Sequence, residues 1–208
     1  MKYVGLFFIL FFLRSAIANQ VPELDKFYVA GWNTSGTSQW VLGYGLNDTV
    51  GFSARYDRIA GVAGERDLFV PELDFILKTW QRPGSITRVY FTLGYGAQKH
   101  PWGDSGVALA DLEIVKESER FYFGERFQYF RMVSHQPFNG MRFRVGYAPG
   151  AFESPKFKVW LMTQAERNGA VSNKINITPL VRFKSQAYYG ELGASLSGDW
   201  ALNLGVVY

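Results

Sequence analysis

The sequence predicts an all-β fold, a single antiparallel transmembrane β-barrel of about twelve strands, with ten or fourteen also compatible with the pattern. Three observations predict it. Alternating segments of about nine or more residues recur along the chain, separated by turn residues. Aromatic residues cluster at the ends of those segments, as interfacial girdles do. The chain closes on "WALNLGVVY", an alternating strand that ends in an aromatic residue.

The first element is not a strand. "MKYVGLFFILFFLRSAIANQ" has Lys2 at its front, an apolar run from Val4 to Leu13, and Ala16-Ile17-Ala18 in the form of a cleavage site. Such a run is too short for a membrane helix, which needs about 20 residues, so residues 1–18 are expected to be a cleaved signal peptide and 19–208 the barrel. Lys2 and Arg14 lie in that leader, so the total of 22 Lys and Arg against 18 Asp and Glu leaves about +2 on the remaining chain, too little for nucleic-acid binding. Cysteine is absent, which excludes disulfides, thiolate metal sites and a lipidated cysteine.

The strands follow in order. "KFYVAGW" opens the series, and "SQWVLGYGLNDTVGFSARYD" forms a hairpin with Trp40, Leu42 and Tyr44 on one face and Val50, Phe52, Ala54 and Tyr56 on the next. A second hairpin joins "LDFILKTW" to "ITRVYFTLGYG" through Pro83-Gly84. "GVALADLEIV", "RFYFGERFQYF", "MRFRVGY", "KFKVWLMTQ", "KINITPLVRF", "AYYGELGASL" and the closing segment complete the count. With both chain ends in the periplasm, the turns on that side are "LND", "QRPGS", "KESER", "APGAFES" and "KSQA", and the longest connections, "RIAGVAGERD" and "AQKHPWGDSG", lie outside. Glu125, on an apolar face, and Pro179, within a strand, each imply a bulge or a rim position.

The other face of these strands carries Arg55, Asp74, Lys78, Arg88, Asp111, Glu113, Arg142, Arg144, Lys156, Lys158, Arg182 and Glu191. In a barrel they line the interior, whereas in a sandwich they would face water. Their distribution is uneven: Glu72, Asp74, Asp111 and Glu113 form an acidic face from the earlier strands, and Arg142, Arg144, Lys156, Lys158 and Arg182 a basic face from the later ones. Opposed across a lumen they would orient small polar or anionic solutes. Paired across it they would plug it.

"LDFILKTWQRPGSITRVYFTLGYG", "ADLEIVKESERFYFGERFQYF", "VWLMTQAE" and "ITPLVRF" followed by "LGASLSGDWALNLGVVY" resemble a family of small, largely uncharacterised proteobacterial outer-membrane barrel proteins, over most of residues 71–208. Relatives usually end in Phe where this chain has Tyr208. The resemblance implies a Gram-negative cell outer membrane location and the barrel fold, and brings no catalytic residues. The closing alternation of Trp200, Leu202, Leu204, Val206 and Tyr208 also resembles the signal read by the barrel assembly machinery, whose strand could pair with this edge before closure.

The function expected is a small pore or transport-related barrel, with outer-membrane lipid around it and no cofactor, no metal and no nucleic acid. Three alternatives stand beside it. One is a plugged structural barrel without conductance. Another is a lipid hydrolase using Ser134, His135 and Asn139 of "VSHQPFNG", although no nucleophile elbow accompanies them. The third is a copper site of His135 with Met132, Met141 and Met162, with His100 as a looser candidate. Polar loops and packing methionines are the commoner roles of such residues.

Overall fold

The computed structural model describes residues 26–34, 36–61, 64–133, 136–150, 157–185 and 188–207. Twelve antiparallel strands close into one barrel: β1 (Phe27–Thr34), β2 (Thr37–Gly45), β3 (Val50–Gly61), β4 (Gly64–Arg82), β5 (Ser85–Lys99), β6 (Ser105–Ser118), β7 (Phe121–Met132), β8 (Phe138–Tyr147), β9 (Phe157–Asn168), β10 (Asn176–Ser185), β11 (Tyr188–Ala194) and β12 (Trp200–Val207). Each strand pairs with its sequence neighbours, and β1 pairs with β12 from Tyr28↔Val207 to Asn33↔Leu202. That seam leaves no free edge among the described strands, so their backbone donors and acceptors are satisfied without water, as a membrane crossing demands. The expected signal peptide lies outside the described residues.

The period-2 pattern decides which side chain goes where. Leu42, Phe52, Leu73, Leu93, Leu112, Phe127, Leu161, Leu192 and Leu202 are exposed on the outer wall. Between them in sequence stand the residues that face the lumen. At the end of the barrel that carries the chain termini, outward rings meet in pairs: Phe27 with Tyr44 (centroids 4.6 Å), Phe121 with Tyr147 (5.5 Å) and Phe157 with Phe183 (6.0 Å). Tyr95, Trp102 and Trp200 are exposed toward the opposite, distal end. An apolar wall bordered by rings at both ends is the surface that a bilayer accommodates.

Local chemistry sets the turns. Asn47 Oδ1 accepts from the backbone N–H groups of Thr49 and Val50, each at 2.9 Å, and fixes the β2–β3 connection. Pro83 and Gly84, the latter at φ +71°, make a two-residue link between β4 and β5 in the pattern of a type II turn.

Three expectations are corrected. The segment "RIAGVAGERD" is mostly strand and "AQKHPWGDSG" half strand: β3 runs to Gly61, β4 starts at Gly64, β5 runs to Lys99 and β6 starts at Ser105, with residues 100–104 between them. The alternation persists there, with Ile59 and Leu68 inward and Arg58 outward, where it ion-pairs with Glu65 and lies 3.7 Å from Asp67. The longest connection, residues 148–156 between β8 and β9, is instead at the end with the termini. Lys78 is not a lumen residue: a bulge between Ile76 and Lys78 shifts the register, so Lys78 pairs with Val89 on the outer wall. Glu125 also faces outward, between Ile114 and Phe143, in regular strand without a bulge. Pro179 faces outward near the distal rim, one residue beyond the first β10–β11 pair, where its missing N–H breaks no ladder contact with β11.

Candidate functional site: the lumen

Three layers fill the barrel interior. The distal layer is apolar: Ile59 of β3, Leu68 and Val70 of β4, Val107 and Leu109 of β6, Phe130 and Met132 of β7 and Phe138 of β8 are buried against one another. Phe130 and Phe138 stack with centroids 4.5 Å apart. The β9–β10 connection crosses the distal mouth to join this layer, for Ala170 is buried in it and Val171 packs on it. On the far wall a Cβ at Gly36 would lie 2.8 Å from Val171, and one at Gly61 would lie 2.2 Å from the Ala170 carbonyl oxygen, so only glycine admits that approach. Asn168 Nδ2 donates to Thr37 Oγ1 at 3.1 Å and ties the crossing down.

The middle layer is charged. Asp111 of β6 accepts from Arg126 of β7 through both Nε and Nη2, from Gln128 at 3.0 Å, and from Arg55 of β3 at 3.4 Å. Arg55 also pairs with Glu72 at 2.7 Å. Since β3 and β6 are not neighbours, the Arg55–Asp111 contact is a chord across the lumen. Asp57 accepts from Gln39 at 2.7 Å, and Asp74 accepts from Thr92 at 2.7 Å. A second centre is Glu191 of β11, which accepts from Arg182 (2.5 Å), Arg144 (3.1 Å) and Asn203 (2.5 Å). Gln164 Oε1 accepts from Arg144 Nε at 2.7 Å. Buried charge is tolerable only when partnered in this way.

The third layer is a cavity toward the end with the termini, holding about 970 Å³ of empty space including its mouth. Arg126, Arg142, Arg144 and Arg182, on β7, β8 and β10, form one wall. Tyr28, Ala30, Trp32 and Val41, on β1 and β2, form the other. In ring order β1 stands opposite β7 and β2 opposite β8, so the two walls face each other. Tyr122 and Tyr189 flank Arg182, whose guanidinium carbon lies 4.4 Å and 5.8 Å from their ring centroids. Near the rim, Lys184 Nζ reaches both Glu117 carboxylate oxygens at 2.7 Å, a further chord from β10 to β6. Glycines flatten the walls: a Cβ at Gly43 would lie 1.9 Å from the ring of Tyr28, and one at Gly205 2.1 Å from that of Tyr189. Each ring therefore lies against bare backbone.

Of the basic face expected from sequence, Arg142, Arg144 and Arg182 line the cavity, and Lys158 stands beside Lys184 near the rim, donating to the Ser118 carbonyl at 3.4 Å with Nζ 4.5 Å from the Trp160 ring centroid. Lys156 lies outside the described residues. Glu72, Asp74, Asp111 and Glu113 are all buried inside the barrel. The structure joins the two sets directly at Arg142 and Glu113, 3.6 Å apart. Otherwise each set has partners of its own, Arg55 and Arg126 for the acids and Glu191 for the arginines. Arg126 and the tyrosines were not singled out from sequence. The signal was there in "GERFQYF", where Gly124, Arg126 and Gln128 alternate with three aromatic or charged outward residues.

The last-strand residues Trp200, Leu202 and Leu204 are exposed on the outer wall, with Val206 partly so, and Tyr208 lies outside the described residues. Ser134 and His135 lie outside them as well, while Asn139 faces outward and accepts from Arg167 at 2.8 Å. The methionine constellation is overturned. Met132 is inside the distal apolar layer, Met162 is buried in a separate cluster with Tyr122 and Trp160, and Met141 is exposed on the outer wall. Strand parity puts Met141 on the opposite side of the sheet from the other two. His100 is buried beside Trp102, whose backbone N–H it accepts at 3.3 Å.

No protein-family model matches the chain, and no curated protein matches it. Solved structures do match. A KdgM porin in complex with disordered oligogalacturonate superposes with a TM-score of 0.52 at 9% identity, covering 88% of this chain and 98% of that one. A second KdgM porin structure gives 0.50 at 10% identity over the same shares. The chain thus has the closed twelve-stranded fold of porin-like outer-membrane β-barrels.

Proposed function

We propose that the protein is an integral barrel of the Gram-negative outer membrane that takes small anionic solutes into its lumen. The observation that carries this is the clustering of Arg126, Arg142, Arg144 and Arg182 on one wall of the cavity. A local concentration of guanidinium groups in a space walled from bulk water attracts anions even where carboxylates behind them balance the charge. In this reading the termini lie in the periplasm, the leader is removed on export, and the strand from Trp200 to Tyr208 presents its edge to the assembly machinery before β1 closes on it. Membership of the small proteobacterial barrel family fits the same picture.

Passage through the barrel requires the distal apolar layer and the Arg55–Asp111 chord to part. The expected behaviour in planar bilayers is therefore brief, small openings that favour anions. Substituting Phe130→Ala and Val171→Ala together thins the cap and should lengthen those openings. A second reading, a structural barrel with a permanently plugged lumen, is favoured by the same cap and chord. Bilayers that stay silent with folded wild-type protein and with the double variant establish it, and openings that favour cations overturn the anion reading.

A further inference from the structure

We infer that the cavity is a binding site for amphipathic organic anions, molecules with a carboxylate or similar head on a short aryl or alkyl body. The inference deepens the proposed function, resting on its reading of the lumen as an anion-receiving space. A site for simple inorganic anions would need donors on all sides. Here Arg126, Arg142, Arg144 and Arg182 stand together on one side, while Arg55 of β3 is held by Glu72 and Asp111. Arg142 and Arg144 project from β8, and Nη2 of Arg144 is buried with no hydrogen-bond partner among the described residues. Arg142 stands 3.6 Å from Glu113, beyond hydrogen-bond reach, and keeps donor capacity for a guest.

The facing wall is mainly apolar, with Glu72 and Asp74 of β4 lining the cavity to one side of it. Tyr28, Ala30 and Val41 form a buried apolar cluster against which Trp32 packs. Across a lumen that holds the whole span in one chamber, a head can meet the guanidinium groups while the body lies on the β1–β2 wall. Burying a ring or a four-carbon chain there contributes roughly as much as one charge-assisted hydrogen bond, so neither half of the guest alone suffices.

The test is equilibrium binding to the full chain, folded in lipid nanodiscs, with phenylacetate, acetate and benzyl alcohol as probes. Phenylacetate is expected to bind about tenfold or more tighter than either fragment probe, about 1.4 kcal/mol per factor of ten. Arg142→Gln should weaken phenylacetate about tenfold and leave benzyl alcohol unchanged, whereas Ala30→Leu, which fills the apolar side, should weaken phenylacetate and leave acetate unchanged. Retention of heat-dependent gel mobility reports that each variant is folded. Equal binding of acetate and phenylacetate overturns the inference, as does equal binding of benzyl alcohol, or no binding to folded wild-type protein. Anion-selective conductance without phenylacetate binding sinks this inference alone, and silent bilayers with retained binding sink the conduction reading alone.

Discussion

Asp111 shows how a single side chain holds the lumen together. It accepts from Arg126, Gln128 and Arg55, which come from β7 and β3. Removing it leaves the Arg126 guanidinium buried without the carboxylate it binds and leaves Arg55 to Glu72 alone at close range. Asp111→Ala should therefore cost about 3–5 kcal/mol of stability, read as a lower denaturant midpoint for unfolding from lipid vesicles. Replacing Asp57, which accepts from Gln39 and stands 4.0 Å from Arg55, disturbs a looser contact. At this scale the sequence was half legible. Strand parity marked Asp111, Glu113, Arg142 and Arg144 as inward, and the structure buries Asp111, Glu113 and Arg144 in the lumen and lines the cavity with Arg142. What parity cannot supply is the partner: Arg55 reaches Asp111 across 56 residues of sequence, and Lys184 reaches Glu117 across 67. Such pairings depend on the barrel's circumference and stagger, quantities that no local pattern encodes.

β4 is the element that departs furthest from a plain strand. It is 19 residues long, pairs with β3 through Pro71 without interruption, and is irregular against β5 at two places. One is the bulge that turns Lys78 outward. The other is at Val70 and Pro71, opposite Gly96 and Tyr95, where a Cβ at Gly96 would lie 2.0 Å from the Phe69 carbonyl oxygen. Because that neighbour is backbone, it cannot swing aside. Gly96→Ala should force the strands apart and cost about 1–3 kcal/mol, measured by the same vesicle unfolding, with a folded but less stable barrel as the outcome. Sequence alternation found β4 and β5 and their Pro83-Gly84 turn, yet a bulge adds one residue without any distinctive composition, so Lys78 was placed on the wrong side. The connections misread as long outer loops failed for a related reason. Gly61 and Gly64 resemble loop chemistry, while Arg58 opposite Glu65 and Asp67 is a charged cross-strand pairing above the apolar band.

The molecule as a whole is organised by depth. Leu112 sits mid-height on the outer wall between Phe91 and Phe127, and Trp200 sits at the distal rim beside Ala194. If the outer wall is the lipid face, Leu112→Arg should cost about 2–4 kcal/mol and Trp200→Arg only about 0–1 kcal/mol, a gradient that vesicle unfolding resolves and that a water-exposed wall would not produce. The same layering by depth continues inside, from apolar cap through charged chord to mixed cavity.

Gly43 and Gly205 give the cavity its breadth. Tyr28 and Tyr189 lie flat because the neighbouring strand offers each ring a hydrogen atom instead of a methyl group. A methyl at either position would tip a phenol into the chamber and take away the space a guest would fill. The bore of this barrel is thus tuned from its lining, at a scale finer than strand number, and two of its most plain-looking residues act as its calibre marks.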